Sequence, residues 1–147
     1  MSRRSLYKVS IIGIVAGLLL ALFFKVVEER TSHKVYTLLL NIDYIPVLNT
    51  VQFPEIVEVG FHIIISIAVC LFLFLFIRFK KITQSRRIIR FCVFVNVLIA
   101  ILYYPTTLLS ERTPAFTNLW ALVFWIIGHI GYGWIVGVLL TKLFKNK

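Results

Sequence analysis

Charged residues leave four long gaps along this chain. Residues 9–24, 59–77, 91–110 and 113–141 contain no Asp, Glu, Lys or Arg. A helix that crosses a bilayer core of about 30 Å needs about 20 mostly apolar residues. Three gaps meet that length directly, and the first does so if its helix runs on through Lys25 to Val27. The pattern predicts four transmembrane helices, at about 9–28, 57–77, 88–109 and 116–141. A soluble bundle would break such runs with polar stripes at helical spacing, and IAVCLFLFLFI (67–77) has none. The strands of a membrane barrel would alternate over about 10 residues, which these runs do not.

Composition agrees with the pattern: 60% of the residues are hydrophobic and the mean hydropathy is +0.93, too apolar for a soluble domain of 147 residues. The expectation is one transmembrane domain over 1–147. The basic start, Arg3, Arg4 and Lys8, is followed by no small-x-small cleavage site, so the first run reads as a retained helix.

Charge gives a direction. With the N-terminus cytoplasmic, the inside segments hold Arg3, Arg4, Lys8, Arg78, Lys80, Lys81, Arg86, Arg87, Arg90, Lys142, Lys145 and Lys147, and no acid. Lys25, Arg30, Lys34 and Arg112 fall on the other side with all six acids, Glu28, Glu29, Asp43, Glu55, Glu58 and Glu111. Cations are retained on the cytoplasmic side during insertion, so both termini are expected inside. The net charge of +10 then reflects the flanks of membrane spans rather than a nucleic-acid surface. Arg78, Lys80, Lys81, Arg86, Arg87 and Arg90 are expected to meet anionic lipid head groups.

Short connections at 78–87 and 110–116 make neighbouring helices antiparallel, which gives an all-α, up-down-up-down bundle of four spans. The long connection 29–56 is external. Its apolar middle, VYTLLLNIDYIPVL, is expected at the interface or folded over the outer mouth, broken by Pro46 and Pro54. Gly13/Gly17 and Gly133/Gly137 are small residues one turn apart. They serve either packing within the chain or a homo-oligomer face. Cys70 and Cys92 fall inside spans and read as packing residues, neither a disulfide nor a metal pair. No cofactor is expected.

Polar groups inside spans are costly and tend to face the bundle interior. On the first helix Lys25 and Glu28 share a face. On the second, Glu58, His62 and Ser66 form one stripe; the third carries Asn96, Tyr103, Tyr104 and Pro105; the fourth carries His129 and Tyr132. At 1.5 Å per residue, His62 lies roughly 8 Å inside the outer end of its helix and His129 roughly 20 Å inside its own. The set Lys25, Glu28, Glu58, His62, Ser66, Tyr104, Pro105, His129 and Tyr132 is expected to line an outward-open polar cavity with His129 as its floor. Each member also has a structural reading: Lys25 snorkels, Glu28 and Glu58 pair with Lys25 or Arg30, His62 bonds a carbonyl across helices, and Ser66 bonds its own i−4 carbonyl. Gly128 and Gly131 beside His129 allow a neighbouring helix close. Pro105 is expected to kink or end the third helix and free carbonyls there.

Three stretches resemble a known family of small bacterial inner-membrane proteins, typified by YagU: AGLLLALFFKVVEE (16–29), HIIISI (62–67), and YPTTLLSERTPAF (104–116) followed by Gly128-His129. The family's proline-rich stretch after the first helix is replaced here by ERTSHK (29–34), and the lysine is displaced by one residue. The resemblance implies a bacterial cytoplasmic membrane, a shared polar set of Glu28, His62, Pro105 and His129, and a link to acid tolerance; it implies no activity. The residues themselves suggest proton, ion or small-solute homeostasis, since histidine titrates near pH 6.5. A non-enzymatic protein that binds lipid or a membrane complex is the alternative. A haem between the two histidines is disfavoured by their different depths, and no catalytic set is present, so no enzyme is expected.

Overall fold

The computed structural model describes residues 3–42, 51 and 53–145. Asp43, Pro46 and Lys147, and the end of the apolar middle of the long connection (43–48), lie outside the described residues. All secondary structure among the described residues is helical: α1 (Arg3–Thr31), α2 (Val35–Leu40), α3 (Glu55–Phe79), α4 (Ser85–Ala100), α5 (Tyr103–Leu108) and α6 (Leu119–Lys145). Four helical stretches are long and apolar enough to cross a membrane: α1, α3, α4 with α5, and α6. Three of them outrun the expected 9–28, 57–77 and 116–141 at basic ends. Arg3, Arg4 and Lys8, Arg78, and Lys142 and Lys145 all continue the helices, because charge limits depth in a membrane and not helix propensity.

The expected third helix, 88–109, is broken after Ala100. Pro105 has no N–H to give the Ile101 carbonyl and its ring crowds that oxygen. The chain therefore turns at Ile101–Leu102 and resumes as α5. Nearby carbonyls are satisfied locally: the Thr106 hydroxyl donates to Leu102 O at 2.7 Å, and Thr107 donates to Tyr104 O at 3.0 Å. Asn118 caps α6, its Oδ1 accepting the Ala121 N–H at 3.1 Å.

The buried stripe of α1 (Val9, Ile12, Gly13, Ala16, Gly17, Leu20, Phe24) recurs every three to four residues, while Leu18, Leu19, Leu22 and Val26 face outward, as a helix packed on one side and lipid-covered on the other requires. Glycine decides which helices touch closely. A Cβ at Gly13 would lie 2.7 Å from the Ile67 Cα, and one at Gly17 2.9 Å from Ser66; α1 and α3 thus run antiparallel at backbone contact. A Cβ at Gly133 would lie 2.9 Å from the Cys92 carbonyl, and one at Gly137 2.8 Å from the Ile89 Cα, which closes α6 on α4 in the same antiparallel sense. These four glycines are occupied by contacts with the chain's own helices. Gly128 receives Phe24 of α1, whereas a Cβ at Gly131 would meet no other helix within 4 Å among the described residues, so the first of the two glycines beside His129 is the one that admits a neighbour. The packing order is α3–α1–α6–α4. Cys70 and Cys92 are free and buried in it.

This packing predicts opposite signs for two alanines. Gly137→Ala forces backbone apart and lowers stability by about 1–3 kcal/mol. Gly131→Ala meets open space and raises it by up to about 1 kcal/mol through helix propensity. Thermal unfolding of the detergent-solubilised protein measures both.

Candidate functional site

Helices α3 and α4 meet at their shared turn, where Phe76 and Phe91 stack at 4.7 Å. They have no glycine contact with each other. Away from the turn a cavity of ≈ 240 Å³ lies between them, backed by α6 and covered by α2. Its walls include Leu20, Leu38, Leu39, Val69 and Ile99; its polar residues are His62, Ser66, Asn96, Thr106, His129 and Tyr132, with Trp125 beside them. Ile65 and Leu102, on its two flanks, are 52% and 53% exposed, so the mouth opens through the side of the bundle. Among the described residues, no Asp, Glu, Lys or Arg lines it.

The stripe Glu58–His62–Ser66 is buried as its spacing implied, and His62 and Ser66 reach the cavity. Ser66 does not bond its own i−4 carbonyl. Its hydroxyl donates across to Gly13 O at 2.7 Å, because the missing side chain at Gly13 lets α3 reach that oxygen. With the Ser66 proton committed, the Tyr132 hydroxyl donates to Ser66 Oγ at 2.7 Å, with Ser66 O at 3.2 Å. Hydrogen bonds thus tie α1, α3 and α6 together at one level.

The histidines are fixed the same way. A carbonyl only accepts, so His62 Nε2–H donates to Gly17 O at 3.2 Å and His129 Nδ1–H donates to Trp125 O at 2.9 Å. In its neutral form each ring keeps one bare nitrogen, Nδ1 on His62 and Nε2 on His129, and neither ring makes a further hydrogen bond among the described residues. His129 is also held by Trp125 and Phe24, at ring distances of 4.5 and 6.0 Å, and Trp125 stacks on Phe24 at 5.1 Å. Asn96 donates one amide hydrogen to Cys92 O at 2.8 Å and keeps the other with its Oδ1.

The remaining expected members lie elsewhere. Lys25 and Glu28 do not pair with each other. Lys25 reaches Glu55 at 2.7 Å, partly exposed. Glu28 accepts the Tyr36 and Thr37 N–H groups at 2.7 and 2.9 Å and the Thr37 hydroxyl at 2.7 Å, and so caps α2 from another helix, which Lys34 at its start cannot do. Glu58 pairs with Arg112 at 3.4 Å, not with Lys25 or Arg30. Tyr104 and Pro105 are exposed. Their neighbour Tyr103 is the buried one, donating to Ala115 and Asn118 carbonyls at 3.4 and 3.2 Å. Glu28 and Glu55 therefore fasten the cover, and Glu58 holds Arg112 of the connection before α6. His33, Tyr36 and Asn118 complete that fastening. Asn118 Nδ2 donates to His33 Nδ1 at 3.2 Å, and the Tyr36 hydroxyl donates to Glu55 at 2.7 Å. Burial, then the Glu55 carboxylate, holds the Tyr36 phenol above its ordinary range, so it stays a donor at neutral pH. The six cations Arg78, Lys80, Lys81, Arg86, Arg87 and Arg90 are all exposed around the α3–α4 turn. Among the described residues no three His, Cys, Asp or Glu side chains gather as a metal site requires.

No protein-family model, curated protein or solved structure matches the chain, so the likeness to YagU-type proteins rests on the three short stretches alone. If Glu28 caps α2, Glu28→Ala frees two amides; hydrogen exchange at Tyr36 and Thr37 speeds by tenfold or more, as loss of about 1–3 kcal/mol of capping implies, while exchange at Ser66 is unchanged.

Proposed function

We propose that this chain is a non-enzymatic, multi-pass protein of the bacterial cytoplasmic membrane that holds a small amphiphile in the side-opening cavity. It has four up-down-up-down spans, both termini cytoplasmic, and a basic turn against anionic head groups. The YagU-like stretches support the bacterial setting, and the segregation of cations from acids supports the orientation. The observation that carries the binding reading is the cavity itself: apolar walls, a polar floor, no charged side chain among the described residues that line it, and a mouth between Ile65 and Leu102 on a flank that a bilayer would cover. A bare ion would lose its hydration there without a compensating charge. An amphiphile would leave its chain among hydrocarbon and bring only its head inside.

A second reading, proton-linked solute homeostasis tied to acid tolerance, is favoured by the bare nitrogen on each of two cavity histidines. It needs a water-filled cavity where the first needs a lipid-filled one. One experiment separates them: residue-resolved crosslinking in membranes containing a long-chain amphiphile that carries a photoactivatable diazirine at its head. Amphiphile binding predicts adducts on His129 and Tyr132, which lie behind the mouth, and a several-fold loss of those adducts in Ile65→Trp. Labelling confined to outward residues such as Leu18 and Leu22 would refute it and favour the second reading.

A further inference from the structure

Resting on the amphiphile reading, the hydrogen-bond inventory of the cavity says what kind of head group fits. The donors at its floor are already spent on the protein. Ser66 gives its proton to Gly13 O and Tyr132 gives its own to Ser66. His62 gives its N–H to Gly17 O and His129 gives its N–H to Trp125 O. Thr106 at the rim gives its hydroxyl proton to Leu102 O, with Tyr103 O close by. What remains is mostly lone pairs: His62 Nδ1, His129 Nε2, Asn96 Oδ1 and Thr106 Oγ1. Against these stands one spare amide hydrogen on Asn96. The Trp125 indole N–H has no partner among the described residues but is sealed from accessible space.

We infer that the cavity selects an amphiphile whose head donates hydrogen bonds and carries no negative charge, a hydroxyl-headed lipid in the simplest case. A phosphate, sulfate or carboxylate head brings only acceptors, and would face acceptors with no cation among the described lining residues to offset it. A donor head satisfies two buried imidazoles, each nine-tenths or more enclosed, that otherwise lack a partner on one side. The basic turn supplies the complementary selection, since its exposed cations draw anionic head groups to the other end of the bundle.

The test uses the full chain in nanodiscs and three probes of equal chain length: decanol, decyl methyl ether and decyl sulfate. Methyl resonances of Ile65 and Leu102 report a chain at the mouth, and the ring-nitrogen resonances of His62 and His129 report the head. Decanol is expected to shift both sets and to half-saturate at about tenfold lower mole fraction than the ether or the sulfate, the ratio one buried hydrogen bond supports. His129→Phe, which keeps a ring against Phe24 and Trp125, should reduce that ratio several-fold. Equal binding of ether and decanol, or tighter binding of the sulfate, overturns the selection while leaving amphiphile binding standing. No shift of any resonance by any probe overturns both. The comparison is made on the unsubstituted chain, so a variant that fails to fold does not blunt it.

Discussion

Backbone contact at glycine is the constraint on which this architecture depends. In hydrocarbon there is no hydrophobic force to gather apolar helices, so close van der Waals packing and interhelical hydrogen bonds must do it. Gly13 and Gly17 bring α1 onto α3, Gly128 admits Phe24 of α1 against α6, and Gly133 and Gly137 bring α6 onto α4. Three sides of the bundle close in this way. The fourth, between α3 and α4, has no glycine pair. A Cβ at Gly60 on α3 would meet nothing within 4 Å among the described residues, and α4 contains no glycine. That side is pinned at the basic turn by Phe76 and Phe91 and holds a cavity beyond it. The cavity is therefore a consequence of where the small residues are.

The same glycines organise the polar floor. A carbonyl next to a missing side chain is open to a neighbouring helix, and Ser66 and His62 take the Gly13 and Gly17 oxygens. Those bonds fix the protonated nitrogen of His62, and the bond to Trp125 O fixes that of His129. The bare nitrogens, and hence the acceptor character of the site, follow from packing and not from titration. At the other end of the cavity, α2 is held by acids and partners drawn from α1, α3 and the α6 cap, so the cover and the floor are separate polar systems.

Much of this was legible in the residues. The four spans follow from the charge-free runs, the stripe His62–Ser66 from helical spacing, and the break before α5 from Pro105. Depth arithmetic gives the height of Lys25, Glu28 and Glu58 but not their partners, which are Glu55, the start of α2 and Arg112. Helix α2 carries no cap of its own; its cap is Glu28, on another helix, and no local pattern announces such a partner. His33 and Tyr36 gave no signal for the same reason. Ser66 departs from the expected i−4 bond because the competing acceptor, Gly13 O, is created by tertiary approach. The apolar character of the cavity walls also depended on which sides of the helices were left unpaired.

The most direct measurement of the open side is spin labelling at Ile65 and Leu102 in nanodiscs, with Cys70 and Cys92 replaced by alanine. Collision with oxygen, which concentrates in hydrocarbon, is compared with collision with a water-soluble nickel chelate. A mouth that opens into the bilayer predicts high oxygen and low nickel accessibility at both positions. High nickel accessibility at both would mean that the cavity opens to water, and that the side between α3 and α4 is not a route for lipid.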